Sequence, residues 1–510
     1  MAVNPSRPEV ATSRGAVRGT VESGVHVFRG IPFAQPPVGA LRLAAPEPVL
    51  PWDGVRDADT FGPSAPQSQM LSQAQADAAA PEGSGGAPAE ADDRGWLTLN
   101  VWTPDLGAAR LPVMVWIYGG GYTQGSGDEP MYDGARLAGE NGVVVVNMNY
   151  RVGAEGFGVF AGAPANRGLL DQAAALAWVR ENIEPFGGDP DRVTVFGESA
   201  GAGSVAALLA VPRAQGLFRR AIVQSMPSHY YSLDLAEGLG RGMAGLAGVP
   251  ATAAGVASIG PQAIADATTA LARQMAADPG RWGAEAMRAV SPVVDGDVLP
   301  RSPWEALAAG QARDVTVLGG HTSHEWLTIM AASGQLGGMD DTVVQAEFDR
   351  LTPDGGKAYR AAFPDAQPWQ LFEKLLTDWA FRVPLVQLLD AHVAGGGTAY
   401  AYELAWKTSV FGRPLEGSPH GADVPLVFNT FGAGPFGGEP TQEEKDLSAR
   451  MRTAWTSFAA VGDPGWAAYG TQDRITQVFD LKDSVGPYTG QRNLGLWAHK
   501  AFGAVPAPKG

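Results

Sequence analysis

The 510-residue chain contains no cysteine. Disulfides, thiolate nucleophiles and cysteine metal sites are thereby ruled out together. Basic charge is scarce as well: 37 Lys and Arg stand against 53 Asp and Glu, for a formal net charge of -16, and no basic run is longer than Arg219-Arg220. Nucleic acid and anionic membranes need clustered cations, so neither is an expected partner, and no cationic cluster is evident that would hold a charged substrate. Long apolar runs are missing too. No stretch approaches the roughly 18 apolar residues of a membrane span, and Met1 to Pro8 lack the apolar core of a signal peptide. The sequence Asn4-Pro5-Ser6 carries the proline that blocks glycosylation. These absences lead to the expectation of a cytoplasmic protein that acts on a small molecule.

Apolar runs rich in Val and Ile recur with helical patterns between them: Val113 to Tyr118, Val143 to Tyr150, Val193 to Phe196, Ala221 to Ser225, Val315 to Gly319 and Thr398 to Trp406. Near-continuous runs of this kind suit strands covered on both faces, and the alternation predicts an open, mostly parallel sheet with helices on both faces. A helix is predicted over Leu170 to Phe186, stopped by Gly187-Gly188-Asp189-Pro190. No repeat and no linker divides the chain, so residues 1–510 are read as a single domain. An alanine-rich helical insertion over about 233–287 is placed above the sheet, and Gln67 to Arg94 is the candidate for a mobile excursion.

Chemistry concentrates at Val193-Thr194-Val195-Phe196-Gly197-Glu198-Ser199-Ala200-Gly201, where a β-branched run enters Gly-x-Ser-x-Gly and then a small-residue run. That order reads as strand, sharp turn and helix, with the glycines letting the two backbones approach. With 67 Gly in the chain the motif alone is weak, so Ser199 needs partners. On such a fold the acid and then the base follow the serine. Of the 7 histidines, His26 precedes Ser199, His229 comes too early, His392 lies in an apolar helical pattern and His499 near the end. His420, in a loop after Thr398 to Trp406, is the candidate base. Glu325, just past the strand Val315 to Gly319, is the candidate acid, since open α/β sheets place their sites at strand carboxyl ends. Asp423, three residues beyond His420, competes for that role but is read as a loop or helix-cap residue. After the strand Val113 to Ile117 come Tyr118-Gly119-Gly120-Gly121-Tyr122. Bare N–H groups of Gly120 and Gly121, joined by that of Ala200, would suit a developing oxyanion, at about 3 kcal/mol each.

At these residues the chain resembles the type-B carboxylesterase/lipase family of α/β-hydrolases, which includes p-nitrobenzyl-type esterases and cholinesterases. Phe28-Arg29-Gly30-Ile31-Pro32, Leu99-Asn100-Val101-Trp102, Asn149-Tyr150-Arg151 and Gly168-Leu169-Leu170-Asp171-Gln172 carry the likeness through most of the chain. It implies a serine carboxylesterase without cofactor or metal, with Ser199 as nucleophile, Glu325 as acid, His420 as base and Gly120, Gly121 and Ala200 as oxyanion donors. Glu198 and Ser225 match family positions that support the triad. Three departures stand out. Tyr118 replaces the first residue of the usual His-Gly-Gly-Gly, Arg94-Gly95-Trp96-Leu97 lacks a cysteine found in secreted members, and Met226 stands where glycine is common.

Rival functions remain at this level. Some such chains act in adhesion after losing the triad, and a serine hydrolase could act on carbamates or amides. Gly432 to Gly437 fits G-x-G-x-x-G, but Pro435 lies inside it and no apolar strand precedes it. His321 and His324 lack further nearby ligands for a metal. Trp52, Trp96, Tyr122, Trp326 and Phe428 are candidate wall residues. The expected substrates are short to medium acyl esters of uncharged alcohols, with anionic esters disfavoured by the negative protein. Oligomeric state is not legible.

Overall fold

The computed structural model of the chain describes residues 7–68, 95–107, 109–282, 286–335, 339–410, 412–436 and 438–508. Among them the principal sheet has 11 strands. In chain order these are β1 (Thr20–Glu22), β2 (Val25–Pro32), β3 (Thr98–Thr103), β4 (Leu111–Ile117), β5 (Val144–Met148), β6 (Gly188–Glu198), β7 (Arg220–Gln224), β8 (Thr316–Thr322), β9 (Ala399–Leu404), β10 (Ile475–Phe479) and β11 (Ser484–Pro487). Across the sheet the order is β11-β10-β9-β8-β7-β6-β4-β5-β3-β2-β1. Strands β4 to β10 run parallel, while β1, β2, β3 and β11 add antiparallel edges. This is the open, mostly parallel sheet expected of an α/β-hydrolase.

Every residue of β5, and all but Leu111 of β4, is buried, as two-sided coverage requires. The helix Arg167–Asn182 ends in the turn Glu184–Phe186, with Gly187 left-handed at φ 84°. That glycine is where the sequence placed the stop. Residues 233 to 282 carry the helices Leu233–Leu246, Ala253–Ala257, Pro261–Ala277 and Pro279–Trp282, and the first packs on the third. From residue 69 onward the Gln67 to Arg94 segment lies outside the described residues.

The sequence reading differs from the structure mainly at the edges. Thr398 to Trp406 is not the last long strand, because β10 follows and pairs with β9 in register from Ala401 opposite Thr476. The antiparallel edges escaped notice because their pattern is broken. Strand β2 carries His26, Arg29 and Gly30, with a register shift between Phe28 and Ile31.

The crossing from β6 into the helix Ala200–Leu208 is the tightest backbone approach on the route to the site. A Cβ on Gly197 would lie 2.7 Å from the Ile117 carbonyl oxygen. One on Gly201 would overlap that same oxygen and lie 2.8 Å from the Tyr118 oxygen. Gly201→Ala is therefore expected to cost about 2–3 kcal/mol in chemical denaturation, through overpacking against backbone that cannot move aside. An unchanged midpoint would refute this close approach.

Candidate active site

Ser199 sits at φ 56° and ψ -126° between β6 and the helix Ala200–Leu208. A non-glycine residue there is strained by about 1–3 kcal/mol and persists only where its surroundings hold it. The holding bonds are visible: Ser199 N–H donates to the Gln224 carbonyl at 3.0 Å, and the Ser199 carbonyl accepts from Gly203 N–H at 2.9 Å. The end of β7 repeats the pattern, with Ser225 at φ 54° and its N–H donating to the Gly320 carbonyl of β8 at 2.8 Å.

Glu325 lies three residues past β8 and is fully buried. Its Oε1 accepts from the Ser225 hydroxyl at 2.7 Å and from Thr322 N–H at 2.8 Å. Its Oε2 lies 2.5 Å from His420 Nδ1. The base loop is tied to the acid loop by backbone: His324 N–H donates to the Ser418 carbonyl, Ser418 N–H to Ser323 Oγ, and the Thr328 hydroxyl to the His420 carbonyl. Burial pulls the Glu325 pKa upward, but the His420 charge and the hydrogen bonds from His420 and Ser225 outweigh it and leave it below the usual value.

The other ring nitrogen of His420 meets a second carboxylate. Nε2 lies 3.0 Å from Glu198 Oε1, and no hydrogen bond joins it to Ser199 Oγ among the described residues. Glu198 immediately precedes Ser199, so a carboxylate and a hydroxyl compete for one imidazole nitrogen. Burial alone would lower the His420 pKa. The charges of Glu198 and Glu325 more than offset it and raise that pKa well above 6.5. Phe381 packs its ring 4.6 Å from the imidazole.

The loop after β4 closes over the serine. A Cβ on Gly119 would come within 3.0 Å of Ser199 Cβ and 3.1 Å of Glu198 Oε2. Gly120 and Gly121 adopt φ 101° and 64°, which only glycine takes without strain. None of the N–H groups of Gly120, Gly121 and Ala200 is taken by an acceptor among the described residues. Three free donors beside a serine suit a growing negative charge. Tyr118 is stacked on Tyr150 at 4.5 Å, and the Tyr150 hydroxyl donates to the Tyr118 carbonyl at 2.8 Å, so the loop's entry is fixed.

Residues 6–484 match the carboxylesterase family. The chain is 37% identical to the para-nitrobenzyl esterase of Bacillus subtilis over 497 residues, covering 93% of this chain and 95% of that one. It is 33% identical to the liver carboxylesterase of Sus scrofa over 512 residues, covering 93% and 89%. The crystal structure of a Geobacillus stearothermophilus carboxylesterase superposes with a TM-score of 0.81 at 33% identity, covering 96% of this chain and 100% of that one. The chain belongs to the carboxylesterase family. It is a carboxylic-ester hydrolase, which sets aside the adhesion reading, and its family acts on small-molecule esters. No helix among the described residues is long and apolar enough to cross a membrane.

Within this carboxylesterase, the structure brings together Ser199, Glu198, Glu325, His420, Ser225 and the glycine loop, and it disperses several other candidates. Trp52 donates to the Ala16 carbonyl and stacks on Arg56 near the amino terminus, and Phe428 packs with Trp116 and Phe196 in the core. Met226 is fully buried in the core. Trp326 packs on Phe381, and Tyr122 on Phe157. His392 is buried in the helix Val383–Ala394, and Gly434–Phe436 forms a short turn with no strand before it. Phe381 was missed, since it lies in a π-helical turn, Asp378–Arg382, that carries no sequence signature.

Asp423 requires correction. It opens the helix Asp423–Phe428 but does not cap it: it is fully buried, and its Oδ2 accepts from Gln224 Nε2 at 2.9 Å and the Tyr402 hydroxyl at 2.7 Å. Burial and then the Glu198 charge push its pKa up to about 7. Raised above 3.8, a buried carboxyl of this kind keeps its proton in the folded state, so it lowers stability as pH rises from about 4 to about 7. Asp423→Asn removes that titration and keeps the oxygen acceptor. The variant's stability relative to the parent should therefore climb across that window, by at most about 1.4 kcal/mol per pH unit. Denaturation series at several pH values would show it, and parallel curves would contradict it.

Proposed function

We propose that Ser199, His420 and Glu325 form the catalytic triad of this carboxylic-ester hydrolase and that it works through an acyl-enzyme. The observation that carries this reading is the Glu325–His420 contact at 2.5 Å, set beside the strained Ser199 turn. His420 Nε2 accepts the Ser199 hydroxyl proton as Oγ attacks the ester carbonyl. The negative charge on the carbonyl oxygen falls to the N–H groups of Gly120, Gly121 and Ala200. Collapse breaks the ester C–O bond, and the leaving alkoxide takes the proton from Nε2. Water then repeats the cycle on the acyl-enzyme, giving its proton to His420 and releasing the acid. Glu325 holds the imidazole tautomer and stabilises the imidazolium, and Ser225 orients Glu325.

Carbamates and amides fit the same geometry only where the leaving group accepts a proton from His420, and no observation favours them over esters.

Ser199→Ala should lower turnover of p-nitrophenyl esters by a factor on the order of 10⁶ with the fold retained. Glu325→Gln should lose several orders of magnitude, through the wrong tautomer. A folded Ser199→Ala variant that keeps more than a few per cent of activity would remove the nucleophile from this reading.

The pH profile carries a second prediction. His420 is held cationic by two carboxylates, and only neutral imidazole can take the serine proton, so activity is absent below its pKa and present above it. The acid limb of kcat/KM should accordingly lie above 6.5, the ordinary histidine value. Glu198→Gln removes one of the two charges and should move the limb downward. A limb at or below 6.5 in the parent enzyme would count against the Glu198 contact.

A further inference from the structure

The glycine loop has two differently charged ends. At Gly119 it abuts Glu198, whose other oxygen faces His420. At Gly121 it abuts a cation. A Cβ on Gly121 would lie 2.9 Å from Arg288 Cζ and closer still to Nη1, so the guanidinium packs directly on the Gly121 backbone. Arg288 is held there by its main chain: its N–H donates to the Tyr231 hydroxyl at 3.1 Å, and that hydroxyl donates to the Arg288 carbonyl at 2.8 Å.

Among the described residues no carboxylate pairs with Arg288, and no acceptor takes a hydrogen bond from its guanidinium. Its charged surroundings are Tyr122, Tyr231 and His229, and burial keeps all three neutral: the Tyr231 pKa is raised to about 12, that of Tyr122 is raised further, and that of His229 is pushed down to about 3 by burial and then by the Arg288 charge. Both His229 ring nitrogens are buried and unpartnered. The buried arginines among the described residues are matched: Arg151 by Asp171, Arg382 by Asp378, Arg452 by Glu140, and Arg167 by four carbonyls. Arg288 is half-buried, and its planar guanidinium fork is the group best matched to a carboxylate.

We propose that Arg288 is a specificity residue that binds a carboxylate on the acyl side of the ester, so that hemi-esters of short dicarboxylic acids are preferred substrates. This rests on the acyl-enzyme reading above. The side of the ester is fixed by the loop. The alcohol must leave where His420 can protonate it, beside Glu198 and Glu325, where a substrate carboxylate would be repelled. The acyl group is left toward Gly121 and its guanidinium. The expectation of discrimination against anionic esters, drawn from net charge, is reversed: that charge slows approach at low salt, but it does not decide what the site holds once entered. The alcohol remains uncharged, as the sequence led us to expect. A lone arginine 89 positions beyond the serine gives no cluster to notice.

The test compares monobenzyl succinate and monobenzyl glutarate with benzyl butyrate, following benzyl alcohol release. In the parent enzyme kcat/KM for at least one hemi-ester should exceed that for benzyl butyrate. In Arg288→Gln the ratio of the two kcat/KM values should fall on the order of 100-fold, the worth of one lost charge-assisted pair, and Arg288→Lys should recover part of it. Should the variants fail to fold, the parent enzyme still decides: glutarate should inhibit competitively at least about tenfold more tightly than butyrate. Turnover of benzyl butyrate with none of the hemi-esters overturns this proposal and leaves the esterase reading standing. A ratio unmoved in Arg288→Gln gives the arginine a structural role instead. Turnover of no ester at all would sink the acyl-enzyme reading beneath it.

Discussion

The site hangs on the ends of three adjacent parallel strands. Pairing sets Gln224 of β7 opposite Glu198 of β6 and Gly320 of β8, and the ladder continues one residue beyond the strands, through Ser199 N–H to the Gln224 carbonyl and Ser225 N–H to the Gly320 carbonyl. Both serines are forced to positive φ at that last rung. The strain has a geometric return. Ser199 is lifted out of the sheet, and Ser225 turns its hydroxyl onto Glu325, so the register of a parallel ladder decides where Ser199 and Glu325 stand. A one-residue slip in β7 would separate the pair, since side-chain direction alternates along a strand.

Upon that frame the electrostatics are crowded with acid. Glu198, Glu325 and Asp423 are all buried, and Asp423 feels the charge of both glutamates. Three ionised carboxylates could not share this space. The structure resolves the conflict by putting one cation, His420, between the two glutamates and leaving the third carboxyl to keep its proton until near pH 7. Each acid is therefore assigned by its partner. Glu325 receives a hydroxyl, an amide and an imidazole. Asp423 receives an amide and a phenol, and its remaining oxygen is unpartnered, an arrangement that suits a neutral carboxyl better than an anion.

Much of this was written in the sequence, and unevenly. The elbow, the glycine loop and the chain order of serine, acid and base are local patterns, and local patterns survive without coordinates. Long buried strands such as β4 and β5 were legible for the same reason, since two-sided burial erases alternation. The antiparallel strands were not: β1 and β11 are half-buried or exposed throughout, a bulge at Phe28 to Ile31 breaks β2, and Asn100 interrupts the apolar run of β3. Asp423 was misread because a carboxylate at a helix start ordinarily caps it, and only the approach of Tyr402 and Gln224, from other strands, shows that it is submerged. The Glu198 contact with His420 lay hidden in plain view. Adjacent residues in a turn point in unrelated directions, and spacing says nothing of which one reaches the ring.

Arg288 is the extreme of that limit, for its role depends on a glycine 167 positions away. Gly120 and Gly121, which the sequence marks as amide donors, also lie with Gly119 between an anion and a cation. A side chain on Gly119 would crowd Glu198 and Ser199, one on Gly121 would displace the guanidinium, and one on Gly120 would meet the Gln124 backbone. In the proposed mode of binding, the loop separates the two charges and the scissile carbonyl lies between them. One half-buried cation in a chain of net charge -16 is invisible to composition, yet beside the serine loop it outweighs remote surface charges that water and salt screen. The distribution of charge within a few ångströms of the serine, and not its sum over the molecule, decides what the site discriminates.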